Sequence, residues 1–237
     1  PILPILPSQG VKEAIWGKIF RDFLLEHGIN KNDIFVTGSP RHDIFFKKRS
    51  NKNNKNTILI AGNGFFDTNF NGRDTRAYDY LDDCIIKILE TLKKIPNRKP
   101  LVKLHPGRVY YDIKPLIQKI DPTIPIYQNQ NIVDLLESCD VMISLNFSTV
   151  ILDAMILSKP VLLILPEKQG FEEELLVKRG TVLYVKDINK IESAIHDILF
   201  NQKIRERLIQ NGKEFVDDYF ENQGNASNSL SKILQSL

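Results

Sequence analysis

The sequence predicts an α/β fold: a doubly wound parallel sheet covered on both faces, ending in a helical C-terminus. Three observations predict it. Short apolar segments alternate along the chain with longer segments whose apolar residues recur every three to four positions. Several short segments, such as 57–61 (TILIA) and 161–165 (VLLIL), are apolar almost throughout, as expected of strands buried on both faces. Polar and glycine residues follow directly after these segments, where such folds bind their ligands.

Residues 1–10, PILPILPSQG, carry prolines at a spacing of three, which excludes a regular helix and predicts an extended arm or a linker. Ile19, Phe20, Phe23 and Leu24 form a helical stripe over 16–27, stopped by Gly28, and 33–37 reads as a strand ending at Gly38. Residues 47–56, KKRSNKNNKN, are polar, basic and without apolar side chains, and predict an interdomain linker. Beyond it, strands are expected at 57–61, 101–104, 124–127, 141–144, 161–165 and 182–185. Helices are expected at 76–94, 113–120, 132–137, 148–157, 171–179, 188–200 and 202–219. The chain therefore divides into residues 1–46, the end of one domain with its arm, a linker at 47–56, and a second domain at 57–237.

The 237 residues, 42% of them hydrophobic, suffice for a globular core. Lys and Arg number 32 against 29 acids, and they are dispersed, so nothing in the charge calls for a nucleic-acid partner. Cys84 and Cys139 lie in segments that read as helical and form no CxxC pair, which suits a reducing compartment. No stretch of about 18 uninterrupted apolar residues exists, so no membrane span is expected. The chain opens on Pro1 and has no basic segment before an apolar run, which predicts a fragment and not a signal peptide. The expected location is the cytoplasm or the inner face of the membrane. There the basic linker could make peripheral contact with anionic lipid, although a solvated loop explains it more simply.

Four strand ends offer chemistry to one rim: Gly62, Asn63 and Gly64; His105 and Pro106; Gln128 and Asn129; Asn146, Ser148 and Thr149. The stretch 142–155, MISLNFSTVILDAM, breaks an apolar run where Ser148 or Thr149 would cap a helix, whose first N–H groups suit a phosphate. Asp153 lies about one turn into that helix and could accept hydrogen bonds from a sugar or ribose hydroxyl. Taken singly, the Ser-Thr pair is a plain helix cap, Asp153 favours the helix dipole, His105 is as readily structural as ligand-facing, and Gly62–Gly64 is a tight turn without the third glycine of a dinucleotide fingerprint. Their coincidence at one edge is what points to a site. Residues 67–72 imitate half a calcium loop, but Tyr78 stands where a bidentate glutamate is needed. No His and carboxylate cluster has metal-ligand spacing, and neither a GxSxG elbow nor a P-loop occurs.

Residues 131–154 followed by Lys159-Pro160-Val161 resemble the C-terminal half of GT-B glycosyltransferases. Lys103-Leu104-His105-Pro106 is similar to the KxHP strand end of capsule-polysaccharide transferases and of CDP-glycerol glycerophosphotransferases. Residues 36–43, VTGSPRHD, resemble the VTGxPRxD segment that leads from their first domain into the second. The likeness covers most of residues 14–223.

The resemblance implies a Rossmann-like, donor-binding half of a GT-B fold that binds a CMP-, CDP- or UDP-linked donor. Gly62, Asn63, Gly64, Ser148 and Thr149 would lie near its phosphates, His105 near the phosphate or leaving group as the catalytic residue, and Asp153 near a ribose or sugar hydroxyl. Pro106, Gln128, Asn129 and Asn146 would complete the donor site. The implied activity is sugar transfer from a nucleotide-sugar donor to a glycan or lipid-linked acceptor in surface polysaccharide assembly, with no cofactor. A CDP-glycerol-type glycerophosphotransferase, a relative of UDP-sugar 2-epimerases, and a non-catalytic nucleotide- or partner-binding module are the alternatives. The sequence departs from the pattern in lacking nearly all of the first domain, which usually supplies the acceptor site and often the catalytic base. Asn146 also stands where relatives commonly have Ser, Thr or an Asp-Tyr pair, and Asp153 where many have Glu. Without the first domain the chain is expected to be inactive.

Overall fold

The structure, a computed structural model, describes residues 6–8, 10–48, 56–61, 76–107, 112–165 and 171–236. Its centre is a six-stranded, all-parallel sheet. In chain order the strands are β3 (Thr57–Ala61), β4 (Lys99–Lys103), β5 (Ile126–Tyr127), β6 (Val141–Leu145), β7 (Val161–Ile164) and β8 (Leu183–Val185). Their spatial order is β5-β4-β3-β6-β7-β8, so the winding reverses between β3 and β6.

The period of two along each strand divides the core into two layers. Ile58, Ile60, Val141, Ile143, Leu162 and Ile164 face one side, packed beneath α3 (Arg76–Lys93), α4 (Lys114–Ile120) and α8 (Ile191–Phe200). Leu59, Ala61, Met142, Val161 and Leu163 face the other, beneath α5 (Ile132–Ser138), α6 (Val150–Ile156), α7 (Phe171–Lys178) and part of α9 (Gln202–Tyr219). Because both faces are buried, the central strands carry apolar residues at consecutive positions, and each such side chain contributes about 1.5–3 kcal/mol of transfer free energy. The two thiols are free and buried, Cys84 in α3 and Cys139 one residue beyond α5. Burial pushes the Cys139 thiol up to about 12, which keeps it unreactive.

The N-terminal piece is a small parallel pair, β1 (Glu13–Ile15) and β2 (Ile34–Val36), with α1 (Lys18–Glu26) and α2 (Asp43–Lys47). It is bonded to the C-terminal helices. Trp16 stacks on Phe220 with centroids 5.7 Å apart, Phe20 meets Tyr219 edge-on at 4.8 Å, and the Glu221 N–H donates to Trp16 O at 2.8 Å. Such aromatic pairs are worth about 0.5–1.5 kcal/mol each beyond their buried area. Asp43 accepts at 2.9 Å from each of the Ala226 and Ser227 N–H groups and at 2.7 Å from Ser227 Oγ, capping α10 (Ala226–Ser236) from 183 residues away. Gly38 has φ +81°, and a Cβ there would run into the Glu221 carbonyl, so this close approach requires glycine.

β1, α2 and α10 have no counterpart among the elements expected from sequence. Of the linker expected at 47–56, residues 49–55 lie outside the described residues. Its start is structured: Lys47 ends α2, and Lys48 Nζ donates to Asp134 Oδ1 and Glu137 Oε2 of α5. Among the described residues no helix is long and apolar enough to cross a membrane.

Candidate active site

A cleft of about 420 Å³ opens at the carboxyl ends of β3, β4 and β5 and the loop after β6, which is the point of winding reversal. Ala61, Lys103, His105, Pro106, Gln128, Asn129, Ser148 and Thr149 line it, and Arg41 enters from the N-terminal piece. Its described lining contains Arg41, Lys103 and His105 but no carboxylate, so its field favours an anion. Gly62, Asn63 and Gly64 lie outside the described residues.

Lys103 ends β4, and its Nζ donates to Leu104 O and Gln128 O, both at 2.8 Å, which ties the ends of β4 and β5 together. Burial holds its ammonium below the usual lysine range. His105 follows two residues later. Its Nδ1 accepts the Gly107 N–H at 2.9 Å, so the neutral ring carries its proton on Nε2. Burial first, and then the nearby Lys103 charge, hold this imidazole below its ordinary value and favour that neutral form.

After β6 the chain turns at Asn146, whose φ of +71° lies in the left-handed region that asparagine tolerates better than most residues. Two bonds hold the turn: Asn146 Oδ1 accepts the Phe147 N–H at 2.7 Å, and Ser144 Oγ donates to Asn146 O at 2.9 Å. Asn146 therefore shapes the rim and does not line the cleft. The helix α6 begins at Val150, later than the expected 148. Thr149 is its N-cap without a side-chain cap bond, while Ser148 Oγ accepts the Val150 N–H at 3.4 Å, a weak contact. Both residues line the cleft.

Asp153 is placed differently from the expectation. It is 0% exposed, absent from the cleft wall, and paired with the N-terminal piece: Arg41 Nη2 donates to its Oδ2 at 3.3 Å, and His42 Nε2 lies 3.1 Å from its Oδ1. The expected contact with a sugar or ribose hydroxyl is thus one this geometry does not offer, because that face of α6 packs against residues 39–46. Arg41, Lys103 and Gln130 were not singled out as site residues from sequence, although Arg41 and Lys103 stand inside the VTGSPRHD and KLHP segments. Periodicity gives no means of assigning residue 41 to a cleft formed by strands beyond residue 57.

Comparison with known proteins adds the family. Residues 13–189 match the model of the CDP-Glycerol:Poly(glycerophosphate) glycerophosphotransferase family. The chain belongs to this family. It is therefore a member of a transferase family whose description names a nucleotide-linked donor and a polymer. No curated protein matches it.

Among solved structures, the S. aureus MnaA–UDP complex is similar over 95% of this chain and 60% of its own, with 13% identity and a TM-score of 0.64. The UDP-GlcNAc 2-epimerase from Neisseria meningitidis bound to UDP-GlcNAc is similar over 95% and 61%, with 18% identity and a TM-score of 0.59. WaaG, a glycosyltransferase of lipopolysaccharide biosynthesis, is similar over 96% and 64%, with 11% identity and a TM-score of 0.53. At such identities the likeness shows the fold alone, a GT-B-like half. The chain spans less than two thirds of each of these structures.

Proposed function

We propose that residues 57–237 bind CDP-glycerol as the donor half of a glycerophosphotransferase, with residues up to 46 closing a preceding domain. Membership in the glycerophosphotransferase family favours glycerol phosphate over the sugar first suggested by the GT-B resemblance. The observation that carries the reading is the cleft at the winding reversal, where Lys103, His105, Ser148 and Thr149 converge and where the described lining holds no carboxylate.

In the transfer, a hydroxyl oxygen of the acceptor polymer attacks the phosphorus that bears glycerol. The bridging P–O bond breaks, CMP leaves with the electron pair, and the hydroxyl proton passes to a base. What lowers this barrier is placement of donors where negative charge grows on the departing phosphate. His105 suits that role better than the role of base, because its Nδ1 is occupied by the Gly107 N–H and its Nε2 carries the proton. The polar turn at 146–149 supplies further backbone and hydroxyl donors beside it.

Calorimetric titration of the chain with CDP-glycerol, CDP, UDP and UDP-GlcNAc tests this. Saturable binding of CDP-glycerol and CDP is expected, and His105→Ala should weaken it roughly ten- to a hundred-fold, the worth of one hydrogen bond to a charged group. Preference for UDP-GlcNAc over CDP-glycerol would return the reading to sugar transfer. Unchanged affinity in His105→Ala would remove His105 from the site.

A further inference from the structure

Asp153 is a buried carboxylate on a helix that is otherwise apolar. In α6, Ile151, Leu152, Ala154, Met155 and Ile156 are all buried with it. Withdrawing a carboxylate from water is costly, and a buried ion pair seldom repays the cost in stability alone. The pair here is also not a closed one, since the Arg41 side chain is 53% exposed while that of Asp153 is 0% exposed.

Asp153 meets two groups. Its Oδ2 accepts from Arg41 Nη2 at 3.3 Å, and its Oδ1 faces His42 Nε2 at 3.1 Å without hydrogen-bond geometry. The His42 ring cannot swing away. Its Nδ1 lies 2.6 Å from Ser39 Oγ, and it is walled by Trp16 at 5.2 Å and Phe220 at 4.7 Å, centroid to centroid. The carboxylate therefore abuts a fully buried, fixed ring on one side and holds a half-exposed guanidinium on the other. Arg41 gives one N–H to Asp153 and keeps most of its five donors, on a side chain that lines the cleft beside Lys103 and His105.

We propose that Arg41 binds the diphosphate of a nucleotide ligand in this cleft, and that Asp153, backed by His42, is the positioning residue that holds its guanidinium there. The inference deepens the donor-site reading and rests on it for the identity of the ligand, though not for the presence of an anion. A guanidinium fixed by a carboxylate presents its fork to phosphate oxygens without first losing side-chain freedom. It also explains how a residue preceding the expected linker belongs to a site built by the sheet beyond it.

The test is calorimetry on the whole chain with CDP, cytidine and inorganic pyrophosphate as probes. Arg41→Gln, at a half-exposed position, should fold and should lose CDP affinity roughly 10- to 100-fold while cytidine affinity is unchanged. Asp153→Asn should lose several-fold for CDP. In the double variant the loss should be no greater than for Arg41→Gln alone, the non-additivity expected of residues acting as one unit. A purely structural Asp153 would lower the melting temperature yet leave CDP affinity unchanged in the folded protein, or act additively, and either result overturns the positioning role. Should Asp153→Asn fail to fold, Arg41→Lys decides. It keeps the charge without the fork and should recover only a small part of the loss, whereas full recovery overturns the positioning role. Wild-type binding of pyrophosphate but not CDP, with pyrophosphate lost in Arg41→Gln, would refute the donor reading and uphold the anion site. CDP binding that Arg41→Gln leaves intact, or no binding of either anion, refutes the inference.

Discussion

Replacing Asp43 with Ala should loosen the hold of the N-terminal piece on α10 without touching the cleft. Asp43 receives the Ala226 N–H, the Ser227 N–H and the Ser227 hydroxyl, and Ala226 is 1% exposed. The variant leaves the buried Ala226 N–H without its acceptor, which costs about 1–3 kcal/mol. Loss of the helix cap falls in the same range, about 0.5–2 kcal/mol, and is largely the same bond, so about 2 kcal/mol is expected. For a chain of this size that lowers Tm by roughly 4–8 °C. Burial works to raise the Asp43 carboxyl, but the Ser227 and Ala226 bonds outweigh it and hold the carboxyl below its ordinary value. A depressed folded value means that the contribution is fully present above the unfolded value of about 3.9 and is lost as pH falls through the folded one. Scanning calorimetry of wild type and Asp43→Ala should therefore show a gap at pH 7 that closes below about pH 4. A gap under 1 °C at pH 7, or one that persists undiminished in acid, would refute the assignment of Asp43 as the clamp on α10.

Two further outcomes are expected. Gly38→Ala combines a positive φ with a Cβ against the Glu221 carbonyl, and should destabilise the chain by about 2 kcal/mol or more in urea unfolding; less than 0.5 kcal/mol would mean that this contact yields freely. The His105 imidazole, held down by burial and by Lys103, should titrate by NMR below about 6.5 in the free protein. Sign follows from linkage: the neutral ring is fully retained above the unfolded value, and its stabilisation is lost as pH falls through the folded one. A bound diphosphate should move the His105 midpoint upward, and a midpoint insensitive to CDP would place the phosphates away from His105.

Local pattern was enough for the sheet domain. Strand β3 falls at 57–61 and α9 at 202–219, as their periodicity requires, because each buries a face dictated by its own residues. The polar strand ends were legible for the same reason: a strand that leaves the buried sheet for an open edge changes chemistry there, as at His105 and at 146–149. The N-terminal piece and the C-terminal helix that it caps followed a different logic. The segment ASNSLSKILQS at 226–236 is rich in Ser and Asn, which compete with the helical backbone, yet it is helical with Asp43 as its cap. α2 is five residues long, too short for periodicity to mark, and docks through Phe45 and Phe46. Asp153 is the clearest case. Its sequence position allowed a carboxylate at the cleft, but α6 turned that face toward residues 39–46, and Arg41 reached the cleft in its place. Sequence by itself determined the order of strands and helices over 57–219 and the polar chemistry of the rim at the strand ends, since both depend on interactions a few residues long. Only the tertiary structure decided which charges face that rim, because Arg41 and Asp153 are 112 residues apart and their meeting depends on how the N-terminal piece packs on the sheet domain.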